Sequence, residues 1–104
     1  MSILKDVLVE ERDRLVALIK QYGKEMALLP KGSLSVKKIR NGLYAYRAFR
    51  EKYKVCFEYL GSVESEKALK FKEKMEERRN FNSLLKDAKK NLDEVQRMLS
   101  VAKT

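Results

Sequence analysis

Residues 36–55 read VKKIRNGLYAYRAFREKYKV. Seven of the twenty are Lys or Arg and one is Glu, with three tyrosines and a phenylalanine among them. The Asn41-Gly42 pair inside this stretch is the strongest hairpin signal in the chain, because both residues tolerate the positive φ that a two-residue type I′ turn demands. Ser33 to Asn41 alternates loosely, with Leu34 and Val36 set against Ser33 and Ser35. Leu43 to Phe49 is the returning strand, with Leu43, Ala45, Arg47 and Phe49 on one face and Tyr44, Tyr46, Ala48 and Arg50 on the other. A second reversal fits Glu51-Lys52-Tyr53, and Val55 to Leu60 is a third strand rich in β-formers that Gly61 ends.

Helical patterns flank this stretch. Leu4, Leu8, Leu15, Leu18, Tyr22, Met26 and Leu29 recur at steps of three, four or seven, and mixed charges fill the positions between them. Pro30 then disfavours helical geometry at Leu29 and stops the element. Beyond Gly61, either Ser62 or Ser65 can cap a second helix. Its apolar positions Ala68, Phe71, Met75, Phe81, Leu85, Ala88, Leu92, Val95, Leu99 and Ala102 form a coiled-coil-like seam with no proline or glycine to the end.

The expected fold is therefore α+β and mainly helical, a single domain over residues 1–104. A helix at 3–29 and a long helix at 62–103 form an antiparallel, coiled-coil-like pair, with a three-stranded antiparallel β-meander at 33–60 between them. The second helix, at ~60 Å, outruns the first at ~40 Å. The overhanging positions Leu85, Leu92, Val95 and Leu99 are accordingly expected to mediate self-association, as a homodimer.

Composition narrows the function classes. With 38% charged and 44% hydrophobic residues, one proline and four glycines, the chain is too apolar for a disordered tail and too charged for a membrane span. The opening MSILKDVLVEERDR places acids and bases where a signal peptide needs an apolar core, so a cytoplasmic protein with no membrane partner is expected. One cysteine and no histidine argue against a disulfide, a metal site and nucleophilic or acid–base catalysis. No cofactor and no enzymatic activity are expected. Arg78-Arg79 interrupts the seam, and the neighbouring Glu76 and Glu77 favour reading it as a surface charge cluster.

The net charge of +9 is unevenly spread. Residues 1–30 hold five bases and five acids, residues 31–60 hold eight and two, and residues 61–104 hold eleven and eight. Two thirds of the excess thus falls on the hairpins, where Lys37, Lys38, Arg40, Arg47, Arg50, Lys52 and Lys54 lie beside Tyr44 and Tyr46. Bases set among aromatics contact phosphates and stack on bases, so these nine residues are the candidate nucleic-acid-binding set, with DNA preferred over RNA and duplex over single strand. The competing reading is a coiled-coil assembly or adaptor protein in which the tyrosines pack under the long helix and the lysines protect a sheet edge.

The stretch LPKGSLSVKKIRNGLYAYRAFREKYKVCFEYLG also resembles a pattern in small uncharacterised bacterial, archaeal and phage-type proteins. The matching residues are Leu29, Pro30, Gly32, Ser33, Leu34, Lys37, Lys38, Gly42, Tyr44, Tyr46, Arg50, Lys54, Val55, Tyr59, Leu60 and Gly61. The resemblance implies a hairpin segment followed by a long charged helix, and it brings no activity, cofactor or catalytic residue. This chain departs from it at Glu51-Lys52-Tyr53, where the usual reversal is richer in glycine.

Overall fold

The computed structural model describes residues 3–102, in the order α1 (Ile3–Ala27), β1 (Ser33–Ile39), β2 (Gly42–Glu51), β3 (Lys54–Ser62) and α2 (Glu66–Ala102). The strands form one antiparallel sheet in the order β1-β2-β3, so the protein is α+β and mainly helical. The expected last residue of the second helix, Lys103, lies outside the described residues.

Element ends differ from expectation for local reasons. α1 stops at Ala27 rather than Leu29; the Leu28 N–H donates to the Glu25 carbonyl at 3.2 Å, a tightened last turn ahead of the Leu29-Pro30 step. Ser65, not Ser62, caps α2: its hydroxyl oxygen accepts from the Ala68 N–H at 3.3 Å, and its own O–H lies 2.7 Å from the Ser62 carbonyl. The helix therefore begins at Glu66, whose carboxylate is favourably placed at the positive terminus. Gly61 does not end β3. It pairs with Ala45 while Tyr59 pairs with Tyr46, leaving Leu60 as an extra residue in a bulge where Gly61 takes φ 110°.

The first turn also moves. Ile39 pairs with Gly42, so its central residues are Arg40 and Asn41 rather than Asn41 and Gly42. Arg40 has φ 57°, and among the described residues Lys52 is the only other non-glycine with positive φ. With Asn41 at negative φ, the turn lacks the two positive φ values of the type I′ turn expected. The second turn is Lys52-Tyr53, since Glu51 remains in the sheet opposite Lys54.

The chain divides into two compact units, and α2 contributes to both. In the helical unit, residues 3–28 and 80–102, Leu15, Ala88, Val95 and Leu99 are buried together, with Leu8, Val9, Ile19, Tyr22 and Leu92 packed against them. The Tyr22 and Phe81 rings meet at 6.1 Å. The premise that Leu92, Val95 and Leu99 lie beyond the reach of the first helix is therefore corrected: α1 packs on the later turns of α2 because the sheet occupies the earlier ones. On the exposed side of α1 the Arg14 guanidinium hydrogen-bonds Glu11 and holds its carboxyl below the usual range.

In the sheet unit, residues 29–79, Ala45 and Leu60 are buried against Ala68 and Phe71, with Val63 and Met75 packed at the margin. Arg78 is half-buried and donates from Nη1 to the Pro30 carbonyl at 3.1 Å, so it fastens the segment before β1 rather than joining a surface charge cluster; Arg79 is exposed.

Leu15 is 2% exposed in the helical core, and Leu15→Ala is expected to lower unfolding free energy in urea by about 3 kcal/mol. A loss below about 1 kcal/mol would contradict the core assignment. Gly23, by contrast, lies within α1 with open space where a Cβ would stand. Gly23→Ala should raise stability by about 0.5–1 kcal/mol in the same titration.

Candidate nucleic-acid interface

β2 is the central strand, and its register fixes which side chains share a face. Lys37 lies opposite Tyr44, Ser35 opposite Tyr46, Tyr46 opposite Tyr59, and Ala48 opposite Phe57. Directly paired residues project to the same side of a sheet, and alternate residues along a strand do so too. Lys37, Tyr44, Tyr46, Phe57 and Tyr59 therefore form one cluster, on the side opposite the buried Ala45.

The contacts within this cluster are close. Tyr59 meets Tyr46 at 5.3 Å and Tyr44 at 6.3 Å between ring centroids, both tilted. The Lys37 ammonium lies 4.9 Å from the Tyr46 ring centre and 4.5 Å from that of Phe57. Phe57 and Tyr59 are 52% and 54% exposed, while Tyr44 and Tyr46 are half-buried by their neighbours. Between the first turn and the tyrosines runs a shallow groove of about 880 Å³, lined by Ile39, Arg40 and Gly42 on one side. By alternation this face carries Lys37 and Arg50 and no carboxylate, because Glu51 and Glu58 fall on the other.

The nine expected binding residues are thus divided. Lys37, Tyr44, Tyr46 and Arg50 share the tyrosine face. Lys38, Arg47 and Lys54 fall on the helix-packed face, and Arg40 and Lys52 occupy the two turns at opposite ends of β2. Arg47 has structural partners: Nε donates to Glu58 at 2.9 Å, Nη1 donates to the Lys31 carbonyl at 2.8 Å, and the guanidinium stands 3.9 Å from the Phe49 ring centre. Lys67 adds a longer contact to Glu58 at 3.8 Å. Among the described residues, Lys37, Lys38, Arg40, Arg50, Lys52 and Lys54 have no acidic partner.

Phe57 and Tyr59 were not in the sequence-derived set. Their signal was the alternation Val55, Phe57, Tyr59 in the third strand, which acquires meaning only once the register places it beside Tyr46. Of the self-association set, Val95 and Leu99 are buried within the chain, Leu92 packs on the same core, and Leu85 is half-buried. Among the described residues, no helix is long and apolar enough to cross a membrane, and no group of three or more Cys, Asp or Glu able to hold a metal occurs. Comparison with known protein families, with curated proteins and with solved structures finds no match to this chain.

Arg40 and Lys52 each hold φ 57°, a conformation that glycine adopts at lower cost. Arg40→Gly and Lys52→Gly are each expected to leave stability unchanged or raise it by up to about 1 kcal/mol in thermal melts. Loss of more than about 1 kcal/mol would show these bases to be structural.

Proposed function

We propose that this protein is a non-enzymatic nucleic-acid-binding module, with DNA the expected polymer, that binds through its basic, tyrosine-bearing sheet. One observation carries the reading: a sheet face holding Tyr44, Tyr46, Phe57 and Tyr59 with Lys37 among them, no carboxylate on that face, and unpaired bases in the turn at either end. The ammonium and guanidinium groups meet phosphates, and the rings meet bases. The helical part is the body that carries this surface, read as an antiparallel, coiled-coil-like pair. In its support, Tyr22 meets Phe81 late in α1 and early in the helical unit's part of α2, whereas Leu4 lines a groove with Arg97 and Met98.

A second reading, assembly through the helices as a homodimer, draws on that groove of about 460 Å³, where Leu4 and Met98 are 66% and 55% exposed. The two readings separate on charge. Exchanging Lys37, Arg40 and Arg50 for alanine leaves the helical groove intact and removes the proposed phosphate contacts.

The test is a fluorescence anisotropy titration of labelled mixed-sequence DNA, duplex and single-stranded. With three to four phosphates engaged, duplex affinity should fall ~40- to ~150-fold between about 50 and about 200 mM salt, and the triple alanine variant should lose binding while keeping its circular dichroism spectrum. No binding of either form at the lower salt, up to roughly 100 μM protein, would refute the proposal.

A further inference from the structure

We infer that the tyrosine face is a stacking platform for unpaired bases, so that the partner is a single-stranded nucleic acid rather than a duplex; the inference rests on the nucleic-acid reading above. A duplex offers phosphates and base edges, while its base faces are hidden in the stack. Only an unpaired strand can present base planes to aromatic rings. Phe57 and Tyr59 are each more than half exposed, on a strand that alternation would allow to be polar on this side.

The ring faces are accessible to an incoming group. Tyr59 meets Tyr46 and Tyr44 at interplanar angles of 55° and 42°, so the rings do not stack on one another. Lys37 reaches across from β1 to lie over Tyr46 and Phe57, which shows that a face of each ring is open to a partner from the solvent side. A base that stacks there displaces the ammonium, which then lies beside the phosphate of the same nucleotide. Arg50 on this face and Arg40 and Lys52 in the turns extend the same chemistry along the strand.

Charge weighs against the simplest competitor. A second copy docking through this face would bring Lys37 and Arg50 against their counterparts with no carboxylate on either side. An anionic polymer with planar bases satisfies both halves of the surface.

The experiment uses the full chain and one mixed sequence of ~12 nucleotides prepared as single-stranded DNA, single-stranded RNA and duplex DNA, titrated by anisotropy at about 50 mM salt. Either or both single strands are expected to bind at least about tenfold tighter than the duplex, and the DNA and RNA arms show which polymer is preferred. Tyr59→Leu and Phe57→Leu, which keep apolar bulk and remove the π-face, should each weaken single-strand binding by about tenfold and leave duplex binding within about twofold. Tyr59→Phe should retain affinity. A second readout needs no substitution: the chain has five tyrosines and no tryptophan, so its emission reports the tyrosines, and single strands should quench it where duplex does not.

Equal or tighter duplex binding, or single-strand binding indifferent to the leucine variants with no quenching, overturns the stacking assignment and leaves the electrostatic reading standing. Absence of binding by every form overturns both. Self-association abolished by Tyr59→Leu, without single-strand preference, assigns the face to a second copy and likewise overturns the inference.

Discussion

The sheet unit depends on one contact, the packing of Ala68 and Phe71 of α2 onto Ala45 and Leu60. A three-stranded sheet has two faces, and burial of at least one is needed for independent stability. Here the first turns of α2 supply that cover, and two of the four buried residues are alanines, small enough for helix and sheet backbones to approach. Burying Leu60 and Phe71 contributes roughly 1.5–3 kcal/mol each. The geometry of the connection serves the same contact. The bulge at Leu60-Gly61 keeps both residues toward the helix, and a side chain at Gly61 would collide with the Ser65 hydroxyl that caps α2. Once the helix is committed to the Ala45 face, it cannot cover the tyrosines on the other.

That commitment also explains how α2 is shared. Ala68, Phe71 and Met75 serve the sheet, while Ala88, Leu92, Val95 and Leu99 serve α1. The seam was legible as a single stripe because both partners read the same helical periodicity. Its division was not legible, since a period shows which residues face inward and leaves open what they face. The expected overhang came from laying the two helices side by side by length. Assigning the early turns to the sheet removes the mismatch, and Leu99 needs no second chain to be buried.

The sheet shows the same split between what periodicity transmits and what it omits. Asn41-Gly42 marked the first hairpin correctly as a hairpin, yet the turn lies one residue earlier. Sliding a two-residue turn by one position changes the sum of paired residue numbers by two, and side chains alternate with a period of two. The faces therefore survive the error: Lys37, Tyr44 and Tyr46 share a side in either register, and Ala45 and Arg47 share the other. What alternation cannot supply is which side receives the helix. The choice falls on Ala45 and Leu60, whose neighbours Phe71 and Ala68 fit a shallow surface, and it leaves the bulkier tyrosines outside. Phe57 and Tyr59 join them only through the pairing of β3, a long-range fact no local pattern states.

The tyrosine face can then be weighed as physical chemistry. Four aromatic residues on one side of a small sheet forgo much of the burial that normally makes aromatics favourable, and the stability so withheld must be recovered elsewhere or used in binding. Part is recovered internally, since the rings shield one another and Lys37 lies over two of them. A cation on an aromatic face is also a reversible cover: it is strongly hydrated, it leaves no sealed apolar contact, and its charge is the one a phosphate neutralises. The two turns repeat the pattern at the ends of β2, roughly 33 Å apart at the rise of an extended strand, with bases in positions where glycine costs less. Stability alone favours burying the rings and placing glycine in the turns. The proposed nucleic-acid role favours what the sequence has, with charge spread along the strand and rings between the charges.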